Sequence, residues 1–73
     1  MNITVYSKPA CVQCTATTRA LERQGIAYNV IDVSVDDQAL MHVQNLGYRQ
    51  VPVVVAGVTH WVGFWPGIIR KLG

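Results

Sequence analysis

The sequence predicts an α/β fold with the element order βαβαββα, and three observations carry that prediction. Short β-branched stretches at residues 3–6, 28–33, 51–56 and 59–62 read as strands. Two longer stretches between them, and one that starts at Pro66, have helical spacing and helix punctuation. The order predicts a right-handed parallel βαβ unit first and an antiparallel hairpin last, where only Gly57 and Val58 separate two strands.

Each element has its own local reason. Ile3-Thr4-Val5-Tyr6 alternates in character, as a half-buried strand does, and ends near Ser7. Lys8-Pro9-Ala10 is a short loop. The first helix is expected over residues 11–24, with Gly25 placed for a left-handed C-terminal cap. Helical spacing puts Cys14, Thr17, Thr18, Ala20 and Leu21 on an inner face. Arg19, Glu22 and Arg23 fall opposite, and Val12 lies toward them. After the second strand, Ser34 is the expected N-cap of a helix that runs to Leu46 and stops at Gly47. Asp36 and Asp37 would sit in its first turn, where the helix dipole favours carboxylates. Ala39, Val43 and Leu46 are its expected buried stripe. Pro52 leads into the third strand, and the last helix runs from Pro66 to Leu72.

The bulk numbers narrow the class. Hydrophobic residues make up 51% of the 73 and charged residues 14%, enough for a packed core and against disorder. Residues 1–73 are expected to form a single small domain. The longest apolar run, Val53-Val54-Val55-Ala56, falls far short of the roughly 20 residues a membrane helix needs. The first residues lack the basic flank, apolar block and cleavage site of a signal peptide, so a cytoplasmic location is expected. A net charge of +2, from six basic and four acidic residues, is too small for a nucleic-acid footprint. Arg19 with Arg23, and Arg70 with Lys71, read as solvated surface, with an acidic patch on a partner as the alternative.

The chemistry lies in Cys11-Val12-Gln13-Cys14, which joins the first strand to the first helix. Closing so short a loop removes little chain entropy, so the pair contributes almost nothing to stability. In a reducing compartment a close pair points to catalysis or metal binding instead. A thiol is nucleophilic as thiolate, and Cys11 falls at a helix N-terminus. There the dipole and unpaired N–H groups favour an anion by about 0.3–1 kcal/mol, rarely about 2. At about 1.4 kcal/mol per pKa unit, that lowers a thiol by roughly one unit or less. A larger drop requires the second thiol as donor, or Lys8 nearby.

Residues three apart lie on adjacent turns of one helix side, so the two sulfurs can reach bonding distance. Cys11, at the exposed end, is the expected nucleophile, and Cys14, on the buried face, the resolving thiol. C-x-x-C placed after a strand within a βαβ pattern supports this reading. The rival is a metal-binding or interaction module with the cysteines as ligands. A structural zinc site takes four ligands, and His42 and His60 lack the spacing to complete one. No metal is therefore expected.

The motifs also resemble a known family. Tyr6-Ser7-Lys8-Pro9-Ala10-Cys11-Val12-Gln13-Cys14 is followed by Ala16-Thr17-Thr18-Arg19-Ala20, then Gly47-Tyr48-Arg49-Gln50-Val51-Pro52-Val53-Val54 and Trp61-Val62-Gly63-Phe64-Trp65-Pro66. In order and spacing these are similar to the motifs of NrdH-redoxins, glutaredoxin-like proteins with thioredoxin-like activity. The resemblance spans essentially the whole chain. It implies a thioredoxin fold, a four-stranded mixed sheet flanked by three helices. A monomer with no cofactor beyond its own thiol pair is expected. Its partners would be thioredoxin reductase, which supplies electrons from NADPH, and the large subunit of class Ib ribonucleotide reductase, whose disulfide receives them.

Position by position, the resemblance makes Cys11 and Cys14 the redox-active disulfide pair and Val12-Gln13 the family dipeptide. Pro52 corresponds to a cis-proline beside the active site. From the residues alone a cis Val51-Pro52 bond has a frequency of only about 5–6%; the resemblance reverses that expectation. The Val51 backbone would then be free to hold a substrate segment in a short β-like bridge.

Glutathione-coupled glutaredoxins, the alternative within the same chemistry, carry a Gly-Gly pair followed by acidic residues after the last strand. This chain has Trp61-Val62-Gly63-Phe64-Trp65-Pro66-Gly67 there, which predicts poor glutathione binding. The segment also departs from the usual W-S-G-F-R-P-D of the NrdH-redoxins. Val62, Trp65 and Gly67 replace a hydroxyl, a cation and a carboxylate, and Thr18 stands where some members have lysine. Trp61, Phe64 and Trp65 are either core residues or, where exposed, contacts for a partner.

Overall fold

Strand β1 (Ile3–Ser7) is one of the two inner strands of the sheet in the computed structural model, which describes residues 2–72. It pairs in parallel with β2 (Asn29–Asp32) and antiparallel with β3 (Val53–Ala56), and β4 (Thr59–Val62) extends β3 as an antiparallel hairpin. The strand order is β2-β1-β3-β4. Helix α1 (Val12–Arg23) links β1 to β2, α2 (Asp37–Asn45) links β2 to β3, and α3 (Pro66–Leu72) follows β4. This is the expected order, with the expected parallel and antiparallel pairings. The mixed four-stranded sheet with three helices is a thioredoxin fold.

The two-residue period of the strands divides the core into two layers. Ile3 and Val5 of β1, Val54 and Ala56 of β3, and Trp61 of β4 pack with Leu21 of α1 and Ile69 of α3. Tyr6 and Val53 point the other way, to Ala39 and Val43 of α2, with Val55 and Val62 alongside. Helices α1 and α3 therefore cover one face and α2 the other. β3 is covered on both sides, which explains its unbroken Val53-Val54-Val55 run.

Several boundaries differ from expectation for identifiable reasons. Cys11 is the N-cap of α1 rather than its first helical residue, with extended backbone angles of φ −106° and ψ 106°. Ser34 does not cap α2. Its N–H and hydroxyl both bond to Asp32 Oδ1, at 2.8 and 2.6 Å, in an Asx-turn that closes β2. Asp36 caps instead, accepting the Ala39 N–H at 3.0 Å. Leu46 lies beyond the last turn as the C-cap and is half-buried, because the chain reverses at Gly47 (φ +93°). β3 starts at Val53 rather than Val51, since Pro52 has no N–H to give the ladder.

Candidate active site

The site forms where three segments meet: the start of α1, the segment leading into β3, and the loop after β4. Cys11 and Cys14 are joined as a disulfide, with Cα atoms 5.2 Å apart. Cys11 is half-buried, whereas Cys14 is 5% exposed on the inner side of α1. Cys11 Sγ accepts the Cys14 backbone N–H at 3.1 Å, so this sulfur itself caps the helix. A thiolate there gains a direct N–H donor as well as the dipole. Ala10 precedes it with φ 58°, a left-handed conformation that a non-glycine residue adopts at a cost.

The Val51-Pro52 peptide bond is cis, as the resemblance implied. The Val51 carbonyl oxygen lies 4.0 Å from Cys11 Sγ. Pro52 O accepts the Gly63 N–H at 2.7 Å, which ties this segment to the loop after β4. Gly63 has φ +89°, and a Cβ there would lie 3.6 Å from Gln13 Oε1 and 3.7 Å from Trp65 Nε1. A residue with a side chain would strain this backbone and crowd the Cys-x-x-Cys dipeptide.

The three aromatics have separate fates. Trp61 is buried between Leu21 and Ile69 in the α1–α3 layer, which removes it from the expected surface contacts. Its ring already faces the core side of β4, opposite Val54. Phe64 is 38% exposed and Trp65 56%, with the Trp65 indole N–H donating to Val62 O at 2.8 Å. Because that acceptor is main chain, valine in place of serine at position 62 leaves this bond intact. Val12 is 84% exposed beside the disulfide.

Two hollows flank Cys11. The larger, about 1130 Å³, lies between the start of α1, helix α2 and the segment before β3. Lys8, Val12, Gln13, Leu40, Gln44 and Arg49 contribute to its walls, and no carboxylate does. The smaller, about 660 Å³, is lined by Pro9, Cys14, Thr18 and Tyr28 among others. There the Tyr28 hydroxyl donates to Glu22 Oε1 at 2.5 Å. That bond, with a smaller contribution from burial, holds the phenol above its ordinary value. Among the described residues, no group of three or more His, Cys, Asp or Glu is arranged to hold a metal ion. No described helix is long and apolar enough to cross a membrane.

A family model described as Glutaredoxin matches residues 3–61. The chain is 43% identical over 72 residues to the glutaredoxin-like protein NrdH of Escherichia coli strain K12, covering 99% of this chain and 89% of the relative. This chain belongs to the NrdH group of the glutaredoxin family. A second NrdH, from Lactococcus lactis subsp. cremoris, is 33% identical over 70 residues, covering 96% of this chain and 97% of that one. The solved structure of the Escherichia coli NrdH-redoxin, described as glutaredoxin-like with a thioredoxin-like activity profile, superimposes with a TM-score of 0.96. It is 42% identical and covers 100% of this chain and 96% of its own. As an NrdH-type glutaredoxin with a Cys11–Cys14 pair, the protein is a thiol–disulfide oxidoreductase.

The structure thus brings Cys11, Cys14, Val12, Gln13, Val51, Pro52 and, through Gly63, Trp65 into one region. Sequence reasoning missed the part of Gly63, although a glycine immediately after a strand is a signal for positive φ. It also missed Arg49 and Gln44 as groove residues, because they come from elements distant in sequence. Nothing local marks Ala10 as left-handed.

Proposed function

We propose that this protein carries electrons from thioredoxin reductase, and so from NADPH, to the disulfide of the class Ib ribonucleotide reductase large subunit. The observation that carries the reading is the asymmetry of the thiol pair: a half-exposed sulfur that caps a helix, three residues from one that is 5% exposed. In the reduced protein the Cys11 thiolate attacks one sulfur of the substrate disulfide. A mixed disulfide forms and the other substrate sulfur leaves as thiolate. Cys14 gives its proton to that departing thiolate and attacks Cys11 Sγ, forming the Cys11–Cys14 disulfide and releasing the second substrate thiolate. Two electrons pass to the substrate, and the reductase returns two to the pair.

Burial keeps Cys14 as thiol until the mixed disulfide forms, since a low-dielectric surrounding disfavours the charged form. The Val51 backbone, beside Cys11, serves as the place where an extended substrate segment adds a short β-like bridge. No cofactor is needed beyond the dithiol.

Two features support thioredoxin reductase over glutathione as the donor. The loop after β4 has one glycine rather than a pair, and Phe64, Trp65, Pro66 and Gly67 follow it with no carboxylate. The Trp65 indole, anchored on Val62 O beside Gly63, adds apolar surface where the alternative needs a polar tripeptide site.

Parallel NADPH-oxidation assays test the reading, one with thioredoxin reductase and one with glutathione plus glutathione reductase. A class Ib ribonucleotide reductase would be the final acceptor. The expected result is fast turnover in the first arm and little in the second. Equal rates in both arms would overturn the assigned donor.

A further inference from the structure

The segment that presents Val51 to Cys11 has little backbone support of its own. Among the described residues, Arg49, Gln50 and Val51 make no backbone–backbone hydrogen bond. Downstream, the segment is fixed where Pro52 O accepts the Gly63 N–H. Upstream, the last secured residue is Tyr48, whose N–H donates to Val43 O at 3.2 Å as the chain leaves α2.

The Tyr48 side chain carries a second attachment. Its ring packs against the α2-side core, and its hydroxyl meets His60 Nδ1 at 2.7 Å, with the His60 main-chain oxygen a longer acceptor at 3.4 Å. The two rings meet edge to face, with centroids 5.5 Å apart and planes at 77°. His60 lies opposite Val55 on β4, an edge strand. The phenol therefore spans from the segment before β3 to the far side of the hairpin. With the backbone of residues 49–51 unbonded, this strut and the Pro52–Gly63 bond hold the two ends of the segment, and the Val51 side chain packs on the same α2-side core between them.

We propose that Tyr48 and His60 are positioning residues for thiol–disulfide exchange. Their side-chain pair holds the segment at residues 49–51 so that the Val51 backbone meets a polypeptide substrate beside Cys11. Tyr48 shares the larger hollow with Cys11, but its hydroxyl bonds to His60 and not to a cysteine sulfur. The inference rests on the exchange reaction itself and is independent of which reductase supplies electrons.

The strut matters only for substrates that use the Val51 backbone. A protein disulfide does; bis(2-hydroxyethyl) disulfide, which has no peptide groups, does not. The test is steady-state kinetics with both acceptors, reducing the protein with dithiothreitol so that neither biological donor enters. For His60→Ala, KM for insulin disulfides should rise about twofold to tenfold with kcat little changed, the range one modest hydrogen bond supports. Its rate with the small disulfide should match the parent protein, which also shows that the variant is folded and its thiols intact.

His60→Asn places an amide oxygen or nitrogen where Nδ1 stood and can accept from or donate to the phenol, so it should restore the insulin KM. Combining His60→Ala with Tyr48→Phe should be no worse for insulin than the weaker single variant. Equal losses on both acceptors would reduce the pair to a general stabiliser and overturn the proposal. So would an unchanged insulin KM, or additive losses in the double variant.

Discussion

Cys11 and Cys14 are the same amino acid three positions apart, and their surroundings separate them. Cys11 Sγ receives the Cys14 N–H at 3.1 Å and faces the groove, while Cys14 is 5% exposed among the packed residues of α1. A sulfur that caps a helix gains as an anion, and a buried one loses. The difference leads to a direct expectation. Reduced Cys14→Ser protein should attack a substrate disulfide and stop at the mixed disulfide, seen as a stable covalent adduct in non-reducing gels and by mass spectrometry. Cys11→Ser should form no adduct and show no turnover. Undiminished turnover by Cys14→Ser would contradict its resolving role. The pair and its spacing were plain in the sequence, as was the ordering of exposed before buried. The left-handed Ala10 and the 4.0 Å approach of Val51 O to Cys11 were not, since each depends on how the segments converge.

The elements followed from local chemistry, and their ends depended on competition between neighbours. All seven expected elements formed, because alternation in β1, the valine run of β3 and the apolar stripes of α1 and α2 are periodic signals. The start of α2 is where local reading chose the wrong residue. Ser34 and Asp36 are both good N-caps by type. Asp32, at the end of β2, claims Ser34 through two hydrogen bonds, and the cap passes to Asp36. Asp36→Ala should therefore destabilise the protein by about 0.5–2 kcal/mol in denaturant melts, the usual cost of losing a cap. Ser34→Ala, which leaves the Asp36 cap in place, should cost less. A larger loss from Ser34→Ala would return the capping role to it.

In the molecule as a whole, four strands in the order β2-β1-β3-β4 bring residues 7–14, 51–52 and 62–65 to one region. The same packing sets Tyr28 against Glu22, on the border of the smaller hollow that Cys11 and Cys14 also line. The carboxylate holds the Tyr28 phenol above its ordinary 10.0, so the folded state retains that proton more tightly than the unfolded chain. The resulting stabilisation is complete below pH 10.0 and is lost as pH rises through the raised folded value. Thermal melts should show the parent protein losing Tm above pH 10 more steeply than Tyr28→Phe, which lacks the titrating group. Identical slopes for the two proteins would show that this bond carries no pH-dependent stability.

The sequence by itself determined the fold class, the order of elements, the redox pair and the family resemblance. The first three rest on residue types at fixed short separations: period two in strands, helical spacing in helices, and two cysteines within one helical turn. The resemblance rests on four short motifs in order along the chain. Tertiary structure alone decided which aromatics stay at the surface, burying Trp61 against Leu21 and Ile69 and leaving Trp65 exposed on Val62 O. It also joined Gly63 to Pro52, and Tyr48 to His60. Those contacts link residues 11 and 12 positions apart, and their formation depends on the β3–β4 hairpin register and the docking of α2. No local pattern encodes such a meeting, because it is the sum of every packing choice between the two residues.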